Sequence, residues 1–335
     1  GSGRQKRNTH QTRAEHRAQV KEIFNRRTAE VTQAHAVGLA QQGGWTKWDN
    51  CTPFVLNWER LIKTRAPKLM SFILNSFINA VRCPDLMKLW GYWKHDNCKL
   101  CGKEKCSLVH ILTCCSTALN QKRYTWRHDS VLNTLHPTLD ELIAKHNTSP
   151  EQVVEHLPQP FVKAGRAPKK RVAQSESHLL SKAKDWKLIV DYDDKPIVFP
   201  PTILSTNLRP DIIIWSERTK TVIWAELTCP AEENIRLAQS RKSRRYKDLA
   251  ESVRAMGWTL YDFTIEVGAR GCVANSLGHF LKKIGLVHRD RKTTIEDVAL
   301  VAARASYHIY LASRNPAWVK HSLLGAPQHK LDATI

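Results

Sequence analysis

Acidic side chains are scarce in this 335-residue sequence: 31 Asp and Glu stand against 52 Lys and Arg, a formal net charge of +21. That deficit favours a polyanionic partner, with nucleic acid ahead of a membrane surface. Long apolar runs are missing too. The most apolar stretch, Leu69–Val81, is too short to span a bilayer and contains Asn75 and Asn79. There is no signal peptide, no lipidation motif and no amphipathic anchor with a basic face, which removes the usual signs of secretion or membrane attachment. Cysteine is present, but not in the pattern a disulfide framework needs. The nine residues are odd in number and clustered, which points to a reducing compartment and metal-bound thiolates. Internal repeats and low-complexity tracts are absent.

What is present is ordinary globular material, 42% apolar and 25% charged, long enough for two domains. Gly1-Ser2-Gly3 reads as an expression remnant and carries no structural argument. Residues Arg4 to about Thr46 are rich in Arg, Gln, Ala and His, with few apolar residues beyond Val20, Ile23 and Phe24. They read as a solvated basic helix or arm, with contact to phosphate backbone as the functional alternative. Trp45, Trp48, Phe54 and Trp58 open a packed region. Leu69, Met70, Ile73, Leu74, Phe77, Ile78 and Val81 then recur at helical spacing and predict a core helix.

Cys98, Cys101, His110 and Cys115 follow as Cys-x2-Cys-x8-His-x4-Cys. Four such ligands within so short a span suit tetrahedral zinc. The first pair bends round Lys99-Leu100, and His110 opens an apolar run that predicts a helix. Cys106 and Cys114 are alternatives to Cys101 or Cys115. Such a site folds a small unit whether or not it touches nucleic acid. Directly after it, Arg123, Tyr124, Trp126, Arg127 and His128 interleave basic side chains with aromatics, a combination that stacks on bases and grips phosphates. The alternative is that Tyr124 and Trp126 pack the knuckle against a helix at Ser130–Leu135.

Periodicity lapses from Pro158 to Ser181, and the run Lys169-Lys170-Arg171 within it is a nuclear-import signal, a phosphate contact or a solvated loop. A second domain begins near Leu179. Trp186–Tyr192 reads as a strand, and Asp191, Asp193 and Asp194 beside Lys195-Pro196 read as a turn. Two β-rich runs, Asp211–Ser216 and Thr221–Thr228, flank the polar Glu217–Lys220 and predict a hairpin. A loop symmetric about Arg218 and Thr219 sets Ser216 opposite Thr221, Ile214 opposite Ile223, and Asp211 opposite Glu226. Opposed Cβ atoms lie about 4.5–5.5 Å apart. Two carboxylates so placed repel unless a divalent cation joins them, so Asp211 and Glu226 form a candidate Mg²⁺ (or Mn²⁺) site, with the Leu227 carbonyl as a further oxygen ligand.

A long helix, Glu232–Met256, is expected next. Its apolar stripe of Ile235, Ala238, Leu249 and Val253 sets Lys242 and Tyr246 toward the sheet. There Lys242 would be paired with the carboxylates and able to orient a water or neutralise a transition state, with Tyr246 one turn on. Arg241 and Arg245 on the same helix are candidate phosphate contacts. A strand at Trp258–Val267 and helices at Val273–Ile284 and Thr294–Ser313 complete the chain. Glu266 reads as an ion-pair partner of Arg270.

Pro210-Asp211, fourteen residues and then Glu226-Leu227-Thr228 resembles the PD-(D/E)XK nuclease motif, with Thr228 where that motif has lysine and Lys242 filling the role from the helix. With the upstream Cys-Cys-His-Cys knuckle, the segments Cys98–Cys115, Arg123–Asp129, Arg209–Trp215, Ala225–Pro230, Lys242–Tyr246 and Ile265–Gly271 resemble the C-terminal region of non-LTR retrotransposon proteins that carry a restriction-like endonuclease. The resemblance spans roughly residues 98–271. It implies an α/β restriction-endonuclease-like core, a mixed sheet flanked by helices, preceded by a mainly helical zinc-knuckle domain. The expected division is a basic arm at 1–60, the knuckle domain at 61–157, a basic linker at 158–180 and the nuclease domain at 181–335. The implied activity is a Mg²⁺-dependent nick in nuclear target DNA whose 3′-OH primes reverse transcription, with DNA as partner, RNA as a second class of partner, and zinc as a structural ion. A reverse-transcriptase domain is not in this sequence, so the chain reads as a fragment or a stand-alone relative. Alternatives are an inactive nucleic-acid-binding module on the same scaffold and a structure-specific resolvase.

Overall fold

The computed structural model describes residues 12–48, 51–52, 56, 61–63, 67–149, 178–192 and 197–319. Phe54, Trp58, the Lys169-Lys170-Arg171 run and the Asp193–Pro196 turn lie outside these residues.

The chain opens with α1 (Arg13–Gly38), started by a capping box in which Thr12 and Glu15 exchange hydrogen bonds. None of its residues is buried. A short strand β1 (Cys51–Thr52) precedes α2 (Pro67–Phe77). Leu69, Met70 and Ile73 of the predicted stripe are buried, but Leu74 is 51% exposed. Phe72, unmarked by the stripe, takes the inward position against the rings of Tyr307 and Tyr310. Next come α3 (Pro84–Leu89), a π turn at His110–Cys114, α4 (Ser116–Asn120) and α5 (Arg123–Thr148). The expected Ser130–Leu135 helix is thus only the middle of α5, which runs on through Pro137.

The second half builds a four-stranded mixed sheet, β2 (Lys187–Val190), β3 (Ile212–Ser216), β4 (Thr221–Thr228) and β5 (Thr259–Glu266), in that spatial order. β2–β3 and β3–β4 are antiparallel and β4–β5 is parallel. The parallel pair needs a crossover, supplied by a 3₁₀ turn at Glu232–Asn234, α6 (Ile235–Arg245) and α7 (Lys247–Ala255). The single helix expected here is therefore broken at Tyr246. That residue leaves the helical ladder (φ −102°, ψ 5°) so that its buried ring packs on Trp224 and its hydroxyl donates to the Arg209 carbonyl at 3.0 Å. A short strand β6 (Val273–Ala274) pairs with β1, and α8 (Asn275–Ile284) and α9 (His288–Leu311) follow.

β3 is buried at every position and β4 at all but its last, because both faces of the sheet are covered. Ile212, Ile214, Ile223, Ala225 and Leu227 point into a core shared with α2, α5, α8 and α9. Ile213, Trp215, Val222 and Trp224 point the other way, onto Tyr246, Leu249 and Val253 of the crossover. The result is a mixed α/β fold with helices on both sides of the sheet. Among the described residues, no helix is long and apolar enough to cross a membrane.

Candidate functional site

The hairpin holds its register from the loop inward. Ser216 Oγ donates to Asp185 at 2.6 Å and accepts from the Thr219 amide at 3.2 Å. The ladder then pairs Ser216 with Thr221, Ile214 with Ile223 and Ile212 with Ala225. One step further, Asp211 meets Glu226: the Asp211 amide donates to Glu226 Oε1 at 3.2 Å. Asp211 Oδ2 accepts from the Leu227 amide at 2.7 Å. From α6, Lys242 Nζ reaches Glu226 Oε2 at 2.6 Å and Asp211 Oδ2 at 3.7 Å. Two carboxylates and an ammonium therefore converge at the end of the sheet. Glu226, Lys242 and Tyr246 line a cavity of about 290 Å³ there.

The electrostatics of the pair are asymmetric. Burial and the neighbouring charge of Asp211 push Glu226 up to about 7, against the pull of Lys242. Burial would raise Asp211 as well, but His128, Lys242 and the Leu227 amide outweigh it and hold the group below its usual range. Two like charges sharing one partly dry site separate in this way.

His128 is the member of the site that spacing did not reveal. Expected among the nucleic-acid contacts, it instead sits with Nε2 3.3 Å from Asp211 Oδ2 and Nδ1 3.1 Å from Asp129 Oδ1. Burial opposes its charge, yet Asp211 and Asp129 prevail and raise it well above the ordinary imidazole value. The cue was the consecutive Arg127-His128-Asp129: successive helical positions point about 100° apart, so the three serve different neighbours.

Arg123, Tyr124, Trp126 and Arg127 do not form the expected surface grip. Arg123 and Arg127 are fully buried. Arg123 donates to the carbonyls of Ala312 and Asn315 at 2.7 and 2.8 Å. Arg127 donates to Leu112 and Cys229 carbonyls at 3.0 and 2.9 Å and to Ser306 Oγ at 2.9 Å. Trp126 packs edge-on to His308 and Trp318. The Tyr124 hydroxyl accepts from the Cys115 amide at 2.9 Å and donates to the Ile111 carbonyl at 2.9 Å. The packing alternative holds for Tyr124, which ties the Cys-His turn to α5. Trp126 packs on His308 and Trp318 instead, and the burial of Arg123 and Arg127 lies outside both expectations. Arg241 and Arg245, by contrast, are exposed on α6. The expected Glu266–Arg270 pair is also absent: Arg270 bonds Glu232 at 2.7 Å and Glu233 at 3.1 Å, whereas Glu266 takes Ser276. Glu232, three residues before α6 and brought against the Gly268–Arg270 turn, is simply the nearer acid.

Cys98, Cys101, His110 and Cys115 offer ligand atoms that all lie within 4.8 Å of one another. Cys98 and Cys115 sulfurs are 3.8 Å apart, and Cys101 Sγ is 3.3 Å from His110 Nε2. A tetrahedron with metal–sulfur bonds of about 2.3 Å has edges of about 3.8 Å, so the cluster fits a metal such as zinc. Cys106 is buried and Cys114 exposed, and neither joins the set. No protein-family model and no curated protein matches the sequence.

Proposed function

We propose that the chain is a divalent-metal-dependent DNA endonuclease of the restriction-like kind found in non-LTR retrotransposon proteins, nicking nuclear target DNA to expose a 3′-OH. The observation that carries this reading is the convergence of Asp211, Glu226 and Lys242, with Lys242 Nζ within 3.7 Å of both carboxylates. Two carboxylates brought together at the end of the sheet supply hard oxygen donors that suit a cation such as Mg²⁺. When bound, that cation would supply Lewis-acid stabilisation for phosphodiester hydrolysis. Asp211 and Glu226 would hold it, and the Leu227 amide would fix Asp211 Oδ2 for the purpose. Lys242 is then placed to orient the attacking water or to neutralise charge on the phosphate. Tyr246 serves by position: its bond to the Arg209 carbonyl anchors the strand entry before Asp211. Exposed Arg241 and Arg245 would hold the backbone of the substrate. The Cys-His cluster, filled by zinc, would be a structural unit.

One observation favours the inactive-module reading. Thr228 stands where the motif lysine is expected, which leaves the motif incomplete on its own strand. Supercoiled plasmid with Mg²⁺ or Mn²⁺ decides between them. Nicking by the wild type and its loss in Asp211→Ala and Lys242→Ala are expected; equal scission by all three would remove the catalytic assignment.

A further inference from the structure

Glu226 is the register partner of Thr264 on the parallel strand β5. Side chains alternate along a strand, so Asp262, Thr264 and Glu266 share the face that carries Glu226. They floor a second cavity of about 510 Å³, closed on one side by Gln239 of α6 and on the other by Ser276 and His279 of α8. Phe263 borders this cavity and the one beside Glu226, so the two are neighbours along one cleft.

Glu266 is the unusual member. It is 1% exposed. Its Oε2 accepts from Ser276 Oγ at 2.6 Å, and its own amide donates to the same hydroxyl at 3.3 Å. The other oxygen, Oε1, is buried with no hydrogen-bond partner. Burial raises this carboxyl, although the Ser276 and Thr264 hydroxyls favour its charged form. A buried acceptor without a donor is destabilising, and that cost falls away when a ligand supplies the hydrogen.

The chemistry of that ligand follows from the surroundings. The chain carries +21 overall, yet the cavity floor presents Asp262 and Glu266. Asp262 is paired with Arg254 at 3.5 Å and no Lys or Arg lines the cavity, so it offers phosphate no cationic partner; Arg241 and Arg245 on the outer face of α6 do. A flat, uncharged group rich in N–H donors suits a cavity lined by a buried carboxyl and by Phe263 and His279, whose rings are 6.0 Å apart. Enzymes that act on nucleic acid read a displaced base through its hydrogen-bonding edge and against apolar side chains.

We infer that this cavity receives a nucleobase bearing an exocyclic amino group, displaced from the stack beside the scissile phosphate, with Glu266 Oε1 accepting the amino hydrogen. The inference rests on the endonuclease reading for its location and extends it to substrate choice.

The test is equilibrium binding of the full chain, with no divalent cation added, to duplexes carrying one extrahelical nucleotide. Guanine, cytosine or adenine there is expected to bind about tenfold more tightly than thymine or an abasic residue. Glu266→Leu should erase the difference. Gln239→Trp, which fills the cavity from an exposed rim position, should do the same without touching the core. Equal affinity for all five duplexes overturns the inference, as does discrimination that survives in both variants. Nicking of plasmid by the wild type is measured separately. Nicking without base discrimination removes the pocket alone; discrimination without nicking removes the nuclease reading and leaves the pocket.

Discussion

His128 Nε2 stands 3.3 Å from Asp211 Oδ2, although 83 residues separate them in the chain. Helix α5 thereby delivers a cationic imidazole to the carboxylate pair, and Asp129 fixes its other nitrogen. On the proposed endonuclease reading, such a group would orient the carboxylate that holds the metal without touching substrate. His128→Ala is expected to lower the nicking rate and the apparent Mg²⁺ affinity about 10- to 100-fold, with KM for DNA unchanged. His128→Gln, which keeps a donor toward Asp211, should recover part of the loss. A His128→Ala protein with wild-type rate and Mg²⁺ dependence would restrict the residue to packing.

Arg127 makes the opposite kind of contribution. Its guanidinium joins the carbonyl of Leu112 in the Cys-His unit, the carbonyl of Cys229 after β4, and Ser306 of α9. Arg127→Met leaves those buried acceptors unpaired and should cost about 3 kcal/mol in urea unfolding. Its DNA affinity under folding conditions should keep the wild-type salt dependence. Arg241→Ala and Arg245→Ala should behave in reverse, each reducing the slope of log K against log salt by about 0.9 with little change in stability. A reduced slope in Arg127→Met would return that residue to the interface.

These contrasts mark where the sequence was legible. The hairpin register followed from loop symmetry and β propensity, and it put Asp211 beside Glu226 because a two-residue period leaves no freedom once the loop is placed. Lys242 followed from the period of the helix. What spacing could not give was depth. Arg123 and Arg127 sit among aromatics in the sequence much as surface contacts do, and only the packing of α5 against α9 turns them inward. The break at Tyr246 was equally hidden, since no Gly or Pro marks it; the cause is a tertiary bond to Arg209. Glu266 bonds Ser276 rather than Arg270 because Arg270 is near it only in sequence, while Ser276 is near it in space.

The Cys-His cluster makes a prediction about folding. Tyr124 ties its backbone to α5 through the Cys115 amide and the Ile111 carbonyl, so loss of the metal should loosen the start of that helix. About one zinc per chain is expected by elemental analysis. It should be lost in the Cys98→Ser, Cys101→Ser double variant, which should also show faster amide exchange across Arg123–Arg127. Zinc retained in that variant would mean that Cys106 or Cys114 is a ligand.

At the far end of α5, His146 and His178 pack edge to face with ring centroids 4.5 Å apart. Gly285, at φ +98°, leaves the space that the His178 ring fills. Burial, His178 and Lys184 lower His146 to about 4, and burial with Lys184 lowers His178. Both are bases with depressed values, so the folded protein binds fewer protons than the unfolded chain between the ordinary imidazole value and the depressed one. Their contribution is complete above pH 6.5 and declines as the pH falls toward about 4. Carboxylates elsewhere also titrate in the lower part of this window, so the comparison must be made against a variant that cannot protonate at the same position. His146→Gln is expected to show a urea midpoint that falls less than that of the wild type between pH 7.5 and pH 5.5. Parallel curves for the two proteins would show that His146 adds nothing to the acid sensitivity of the fold.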